Sequence, residues 1–418
     1  MKIGFAGLSH LGIVSSLVCA SKGAEVMAFD ADKNLCDTLA RGELTVYEPG
    51  LDDIFKNFKK NIRFTSEVKD LGECGLIYFS KDISTDAGNQ SDLGPTEALI
   101  ESVLPHAGSG TLLVMLSQVP PGFMRKIGGK NIFYQVETLI FGNAVERAAQ
   151  PERFIVGCQD PVLPLPALFK DLLGLYGCPV VPMRYESAEL AKISINMCLA
   201  ASVNTANTLA ELCEAIGADW SEIVPALKTD KRIGEHAYLS PGLGLSGGNL
   251  ERDLVTVKTL AAEFGTDAGI VDAWLANSEH RRDWVFKTLY REVLSQVSNP
   301  VVAVWGLSYK PDTVSVKNSP SAALLDTLSH CAKVRLYDPK AKLEATKENV
   351  FTASSALEAC RGADVLVLMT PWKEFLSVPA SGIASALKGK TVLDPLGSLD
   401  EKKFREAKLG YFRLGFGG

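Results

Sequence analysis

Residues 2–30 constrain the fold more than any other stretch of this 418-residue chain. A short apolar run, Lys2-Ile-Gly-Phe-Ala6, breaks at Gly7-Leu-Ser-His-Leu-Gly12. A helical pattern continues to Lys22, and a second apolar run, Glu25-Val-Met-Ala-Phe29, ends on Asp30. Strand, glycine turn, helix, strand and acid are the parts of a dinucleotide-binding βαβ unit: a tight turn, a helix N-terminus aimed at a pyrophosphate, and an acid for the adenosine ribose. Gly7, Ser9, His10, Leu11, Gly12 and Asp30 are the expected cofactor residues. Ser9 stands where the motif has its middle glycine, so the context carries the assignment rather than the spacing. A carboxylate at Asp30 accepts from a ribose 2′-OH but repels a 2′-phosphate, which selects NAD over NADP.

Further apolar runs at Gly75-Leu-Ile-Tyr-Phe79, Thr111-Leu-Leu-Val-Met-Leu116 and Asn131-Ile-Phe-Tyr134 alternate with helical stretches, the pattern of a parallel, doubly wound sheet. Gln118, in Ser117-Gln-Val-Pro-Pro-Gly122 just past a strand, is placed either for a cofactor-side contact or for a plain turn. The composition is 46% apolar and 22% charged, ordinary for a globular protein of two or three domains. Lys+Arg 43 against Asp+Glu 49 gives no electrostatic case for a nucleic-acid partner. The nine cysteines show no C-x-x-C and no metal-ligand spacing, so reduced core residues and no metal are expected. With no leader pattern after Met1 and no membrane-length apolar run, the expected location is the cytoplasm, without membrane contact.

From Tyr185 the pattern lengthens. Glu186 to Ile216 contains no Gly or Pro and is apolar on several faces, so the helix should be largely buried, between domains or against a second subunit. Lys192 and Asn196 lie at i and i+4, pointing the same way, as a surface pair or as groups awaiting a buried partner or ligand. Ser240-Pro-Gly-Leu-Gly-Leu-Ser-Gly-Gly-Asn-Leu-Glu-Arg-Asp253 reads as a flexible surface loop or as a loop closing on a ligand. One helical segment is expected from Leu254 to about Gln296. Strands follow at Val301–Trp305, 333–338, 363–369 and 391–394, forming a second α/β unit without a glycine fingerprint at its first turn. The fold class is α/β, two Rossmann-like doubly wound domains joined by a long central helix. The expected divisions are a cofactor domain over 1–184, a helical dimerisation region with the glycine loop over 185–297, and a nucleotide-sugar domain over 298–418.

The chain resembles the UDP-glucose/GDP-mannose dehydrogenase family over nearly its whole length. The landmarks, in order, are the amino-terminal fingerprint, Tyr47-Glu-Pro-Gly-Leu51, Ser117–Gly122, Val136-Glu-Thr-Leu-Ile-Phe-Gly142, Glu189-Leu-Ala-Lys-Ile-Ser-Ile-Asn196, Asp230-Lys-Arg-Ile-Gly234, the glycine loop, Gly306-Leu-Ser-Tyr-Lys310 and Tyr337-Asp-Pro339. The resemblance implies a homodimer built on the central helices, bound NAD, and a UDP- or GDP-linked sugar oxidised at C6 in two hydride transfers through a cysteine thioester. It further implies that Lys192 and Asn196 stabilise the reacting oxygen, that Asp253 with a water takes the proton, and that Glu137 serves hydrolysis. Leu139, Tyr238, Gly244, Tyr309 and Lys310 would contact the substrate, Lys317 the cofactor, and Arg232 would reach across the dimer.

The departures fall in one neighbourhood. Asn249 stands at the family's nucleophilic cysteine, Gln118 for a usual Thr, Phe141 for Glu, Ser246 for Gly, Arg252 for Lys and Lys317 for Arg. A carboxamide nitrogen is conjugated with its carbonyl and is no nucleophile at neutral pH, so the thioester route is closed. The expected function is an NAD-dependent nucleotide-sugar oxidoreductase that transfers hydride without a thioester. The alternatives are a redox-neutral epimerase retaining NAD, a dehydrogenase working through a hydrated aldehyde, and a non-catalytic nucleotide-sugar or NAD sensor.

Overall fold

The computed structural model describes residues 1–418 except Ala87, Asn89, Gly248, Glu344, Thr346 and Gly418; Gly248 of the glycine loop thus lies outside the described residues. The backbone divides into two units, 1–195 and 196–418. Unit 1 holds an eight-stranded sheet: β1 (Lys2–Ala6), β2 (Glu25–Phe29), β3 (Ile62–Thr65), β4 (Leu76–Phe79), β5 (Leu112–Met115), β6 (Ile132–Gln135), β7 (Phe154–Cys158) and β8 (Val180–Arg184), in the order β3-β2-β1-β4-β5-β6-β7-β8. Along β1 and β4, Ile3, Phe5, Leu76 and Tyr78 enter one core while Ala6, Ile77 and Phe79 enter another. Burial on both faces is what near-continuous apolar runs predict for a parallel sheet. One pairing departs from the expected all-parallel order: β6 and β7 run antiparallel.

Unit 2 carries a six-stranded parallel sheet, β9 (Val301–Trp305), β10 (Lys333–Tyr337), β11 (Val350–Thr352), β12 (Val365–Leu368), β13 (Thr391–Leu393) and β14 (Gly410–Phe412), in the order β11-β10-β9-β12-β13-β14. Four helices matter below: α1 (His10–Ser21), α2 (Tyr185–Ile216), α3 (Asn249–Phe264) and α4 (Gly269–Arg282). The 32-residue α2 runs across the division at 195/196. The single helical segment expected over 254–296 is instead broken. Gly265 turns left-handed at φ +67° and Thr266 N–H donates back to Ala261 O, a glycine C-cap that ends α3. All nine cysteines are free, but Cys198 and Cys331 are exposed, contrary to the expectation of core positions. Among the described residues, no helix is long and apolar enough to cross a membrane.

Candidate active site

The first turn of unit 1 is built by backbone. Gly7 sits at φ +95°, donates its N–H to Phe29 O at 2.9 Å, and leaves no room for a side chain, since a Cβ would stand 2.7 Å from Lys81. A Cβ on Gly12 would stand 1.9 Å from Gly7 O, so α1 packs against the turn only through glycine. Leu8 N–H donates to Asp30 Oδ2 at 2.8 Å and Asp32 N–H to Oδ1 at 3.0 Å; each carboxylate oxygen keeps a second lone pair for a hydroxyl. The glycine cradle, the N-terminus of α1 and Asp30 fit a dinucleotide. Ser9, in place of the middle glycine, accepts from Asp82 N–H at 2.7 Å and donates to Ser80 O at 3.3 Å. Leu11 N–H donates to the Asp82 carboxylate at 3.2 Å.

His10 is tied to a group that its turn position alone did not predict. Its Nε2 lies 2.7 Å from Glu48 Oε1, and its ring packs against that of Phe141, tilted by 42° with the centroids 4.3 Å apart. Glu48 also accepts from Gly142 N–H at 3.0 Å and Ala144 N–H at 3.1 Å. Burial pushes this carboxyl up, but His10 and the two backbone donors outweigh it, and Glu48 ends below its ordinary range. A depressed carboxyl stabilises the fold above the unfolded value, about pH 4.3, and that contribution is lost as pH falls through the folded value. Glu48→Gln should therefore cost about 1–3 kcal/mol at pH 7. Urea unfolding should show the gap to wild type closing below about pH 4.

Elsewhere in unit 1, Lys192 Nζ is 3.9 Å from Glu137 Oε2, and Glu137 accepts from the Leu139 N–H. Gln118 lies in the loop after β5, where Ser117 Oγ donates to Lys81 O at 2.6 Å. That loop is anchored at its far end, because Glu189 accepts from Gly122 N–H at 2.6 Å and Met124 N–H at 2.8 Å. Burial raises the Glu189 carboxyl against the pull of those donors.

In unit 2, Asp253 is held from both sides: Asn196 Nδ2 donates to Oδ2 at 2.5 Å and Arg252 Nε to Oδ1 at 3.2 Å. Asn249 is the first residue of α3 and is exposed, one turn before Asp253. A helix N-terminus at this point would acidify a thiol; a carboxamide has no proton to lose there. The stretch before it is fixed rather than loose. Gly242 N–H donates to Asn207 Oδ1 and Leu245 N–H to Ser278 Oγ, both at 2.7 Å. Asn318 Nδ2 reaches Gly247 O at 3.0 Å and also Glu251, and Arg282 reaches Leu245 O at 3.2 Å. Tyr309 lies against Gly247, where a Cβ would come within 3.1 Å of its ring, and Lys310 Nζ lies 5.6 Å from the same ring's centroid. Arg232 and Tyr238 lie on an exposed stretch, with Arg232 held by both oxygens of Asp230 at 3.0 and 2.5 Å. Lys317 is exposed on the segment after Ser315, whose Oγ accepts its N–H at 3.4 Å.

A dinucleotide turn on one Rossmann-like sheet, a second such sheet, and a carboxylate held by a carboxamide and a guanidinium beside a helix start together define an NAD-linked oxidoreductase. The comparisons narrow the class. Residues 1–171 match the NAD binding domain of the UDP-glucose/GDP-mannose dehydrogenase family, 186–279 its central domain and 303–401 its UDP binding domain. The chain belongs to that family, NAD-dependent dehydrogenases that act on a CH–OH donor. It is similar to YtcA of Bacillus subtilis, 30% identical over 411 residues that cover 94% of this chain and 95% of the relative. The UDP-glucose 6-dehydrogenase of Pseudomonas aeruginosa is 27% identical over 445 residues, covering 100% and 97%. The fold is that of the UDP-D-ManNAc dehydrogenase of Pyrococcus horikoshii, with a TM-score of 0.85, 22% identity and 100% of both chains covered. The UDP-glucose dehydrogenase of Pyrobaculum islandicum gives 0.84 at 24% identity, over 98% and 96% of the two chains.

Proposed function

We propose that the chain oxidises a sugar hydroxyl of a UDP-linked sugar by hydride transfer, without a cysteine thioester. The observation that carries this reading is Asn249 at the head of α3, one turn before an Asp253 still held by Asn196 and Arg252. The proton acceptor is kept and the covalent nucleophile is gone. The match of residues 303–401 to a UDP binding domain favours uridine over guanosine. When bound at Gly7–Gly12 and Asp30, NAD supplies the hydride acceptor.

The protein's own groups divide the remaining work. Asp253 takes the hydroxyl proton, directly or through a water. The Asn196 carboxamide and the Arg252 guanidinium fix the carboxylate's orientation, so no reorganisation is needed at the moment of transfer. The Lys192 ammonium stabilises negative charge as it develops on the substrate oxygen, and Glu137 keeps that ammonium oriented. Lys310, Tyr309 and the 240–247 backbone are assigned to the nucleotide diphosphate and sugar, for which an ammonium is suited. Leu139 and Tyr238 are assigned to the sugar, and Gln118 and Lys317 to the cofactor.

The test follows NADH and sugar mass with UDP- and GDP-sugars, together with the intact mass of quenched protein. NADH should accumulate while the protein mass stays unmodified. An acyl adduct on cysteine would dismiss the reading. Isomerised sugar with no net NADH would select an epimerase, and two NADH per sugar with a carboxylate product would select oxidation through the hydrated aldehyde.

A homodimer through α2 belongs to the same reading. Leu209, Leu212 and Ile216 recur at i, i+3 and i+7 and are 39%, 52% and 66% exposed, an apolar stripe on a long helix. Arg232, exposed just after the helix Trp220–Thr229 that follows α2, is the residue assigned to the partner's substrate. Sedimentation equilibrium showing a monomer at micromolar concentration would remove this part.

A further inference from the structure

We propose that Asp82 is an internal anion standing at the pyrophosphate's position, and that it must be displaced for NAD to bind. A helix N-terminus with free backbone N–H groups attracts anions, and in a dinucleotide turn the anion is the pyrophosphate. Here the Leu11 N–H, at the start of α1, already donates to the Asp82 carboxylate at 3.2 Å. Asp82 is exposed, and its position is set by its main chain, since Ser9 Oγ accepts its N–H at 2.7 Å. The residue that replaces the middle glycine is therefore also the one that holds the carboxylate at the turn. The side chain can rotate away while the backbone stays fixed.

The first turn of unit 2 provides an internal contrast. Gly306 N–H donates to Tyr337 O at 2.8 Å and Leu307 N–H to Asp338 Oδ2 at 2.7 Å, repeating the pattern of Gly7 with Phe29 and Leu8 with Asp30. Met369 N–H donates to Trp305 O at 2.8 Å as Ser80 N–H does to Ala6 O. Two residues beyond Ser80 is Asp82; two residues beyond Met369 is Pro371, which carries no charge. In unit 2, among the described residues, no helix starts at the turn, since the next one begins only at Pro320, so the carboxylate at Asp82 accompanies the turn that runs directly into a helix and takes the cofactor. Two like-charged groups cannot share the same N–H donors, so the carboxylate competes with phosphate and lowers affinity for oxidised and reduced cofactor alike.

The test is binding rather than turnover. NADH, inorganic pyrophosphate and adenosine are titrated calorimetrically into wild type, Asp82→Asn and Asp82→Ser. The first variant removes only the charge, and the second also removes the reach to Leu11. Because Asp82 is exposed on a loop, both should fold, and far-UV circular dichroism checks this. Both variants should bind NADH and pyrophosphate about tenfold tighter, with adenosine unchanged, which corresponds to about 1.4 kcal/mol. Unchanged or weaker NADH binding in the variants would overturn the proposal and would instead make Asp82 a structural residue or a cofactor ligand. Equal tightening of adenosine would also overturn it, because adenosine carries no phosphate.

Discussion

Asp253→Asn should lower sugar-dependent NADH formation by about 10²–10⁴, the usual weight of a positioned general base. The substitution keeps the size and removes the proton acceptor. Asp253 is 1% exposed and Arg252 8%, so the variant also weakens a buried ion pair. Breaking one side of a buried pair costs stability, and a loss of activity could then reflect a damaged fold. A second substitution separates the two effects. Arg252→Met in the Asp253→Asn background removes the other half of the pair, so it should change stability in urea while turnover stays at the single variant's level. Turnover in Asp253→Asn within tenfold of wild type would show that the proton leaves by another route.

The glycine turn was legible because its chemistry is local: Gly7 needs a positive φ and Gly12 a close backbone approach, and both demands are written in residue identity. The second role of Ser9 was not, since its partners, Ser80 and Asp82, are more than seventy residues away. Glu48 is a similar case. It was visible as part of a landmark, but its bonds to His10, Gly142 and Ala144 depend on tertiary contact alone. Among the strands, β8 was missed because Pro182 interrupts its apolar run. A proline is tolerated there because β8 lies at the sheet's edge and pairs only with β7. β3 is four residues long, Ile62-Arg-Phe-Thr65, with too little alternation to stand out. The end of α3 could have been read, since Gly265 followed by Thr-Asp is a C-cap signal. The site residues of the 240–253 run were visible as a group, but the run's rigidity was not. It comes from Asn207, Ser278, Arg282 and Asn318, each distant in sequence.

That rigidity gives a large expected effect on stability. Gly244 sits at φ +79°, and a Cβ there would stand 2.3 Å from Ser278 O and 2.7 Å from Ser278 Oγ. Gly244→Ala must therefore push α4's Ser278 away from the hydroxyl contact that satisfies the buried Leu245 N–H. Left-handed backbone on a non-glycine residue costs about 1–3 kcal/mol, and an orphaned buried donor costs about 1–3 kcal/mol more. The loss should total about 2–6 kcal/mol in urea unfolding. Gly234→Ala is the control, because Gly234 has a similar φ of +90° and a methyl added there would meet nothing within 4 Å. It carries the backbone strain without the clash and should cost only the strain, about 1–3 kcal/mol. Equal costs in the two variants would mean that strain alone matters and that Ser278 yields freely. A much larger cost at Gly244 would show that the segment leading into Asn249 and Asp253 is held by close packing rather than by backbone preference alone.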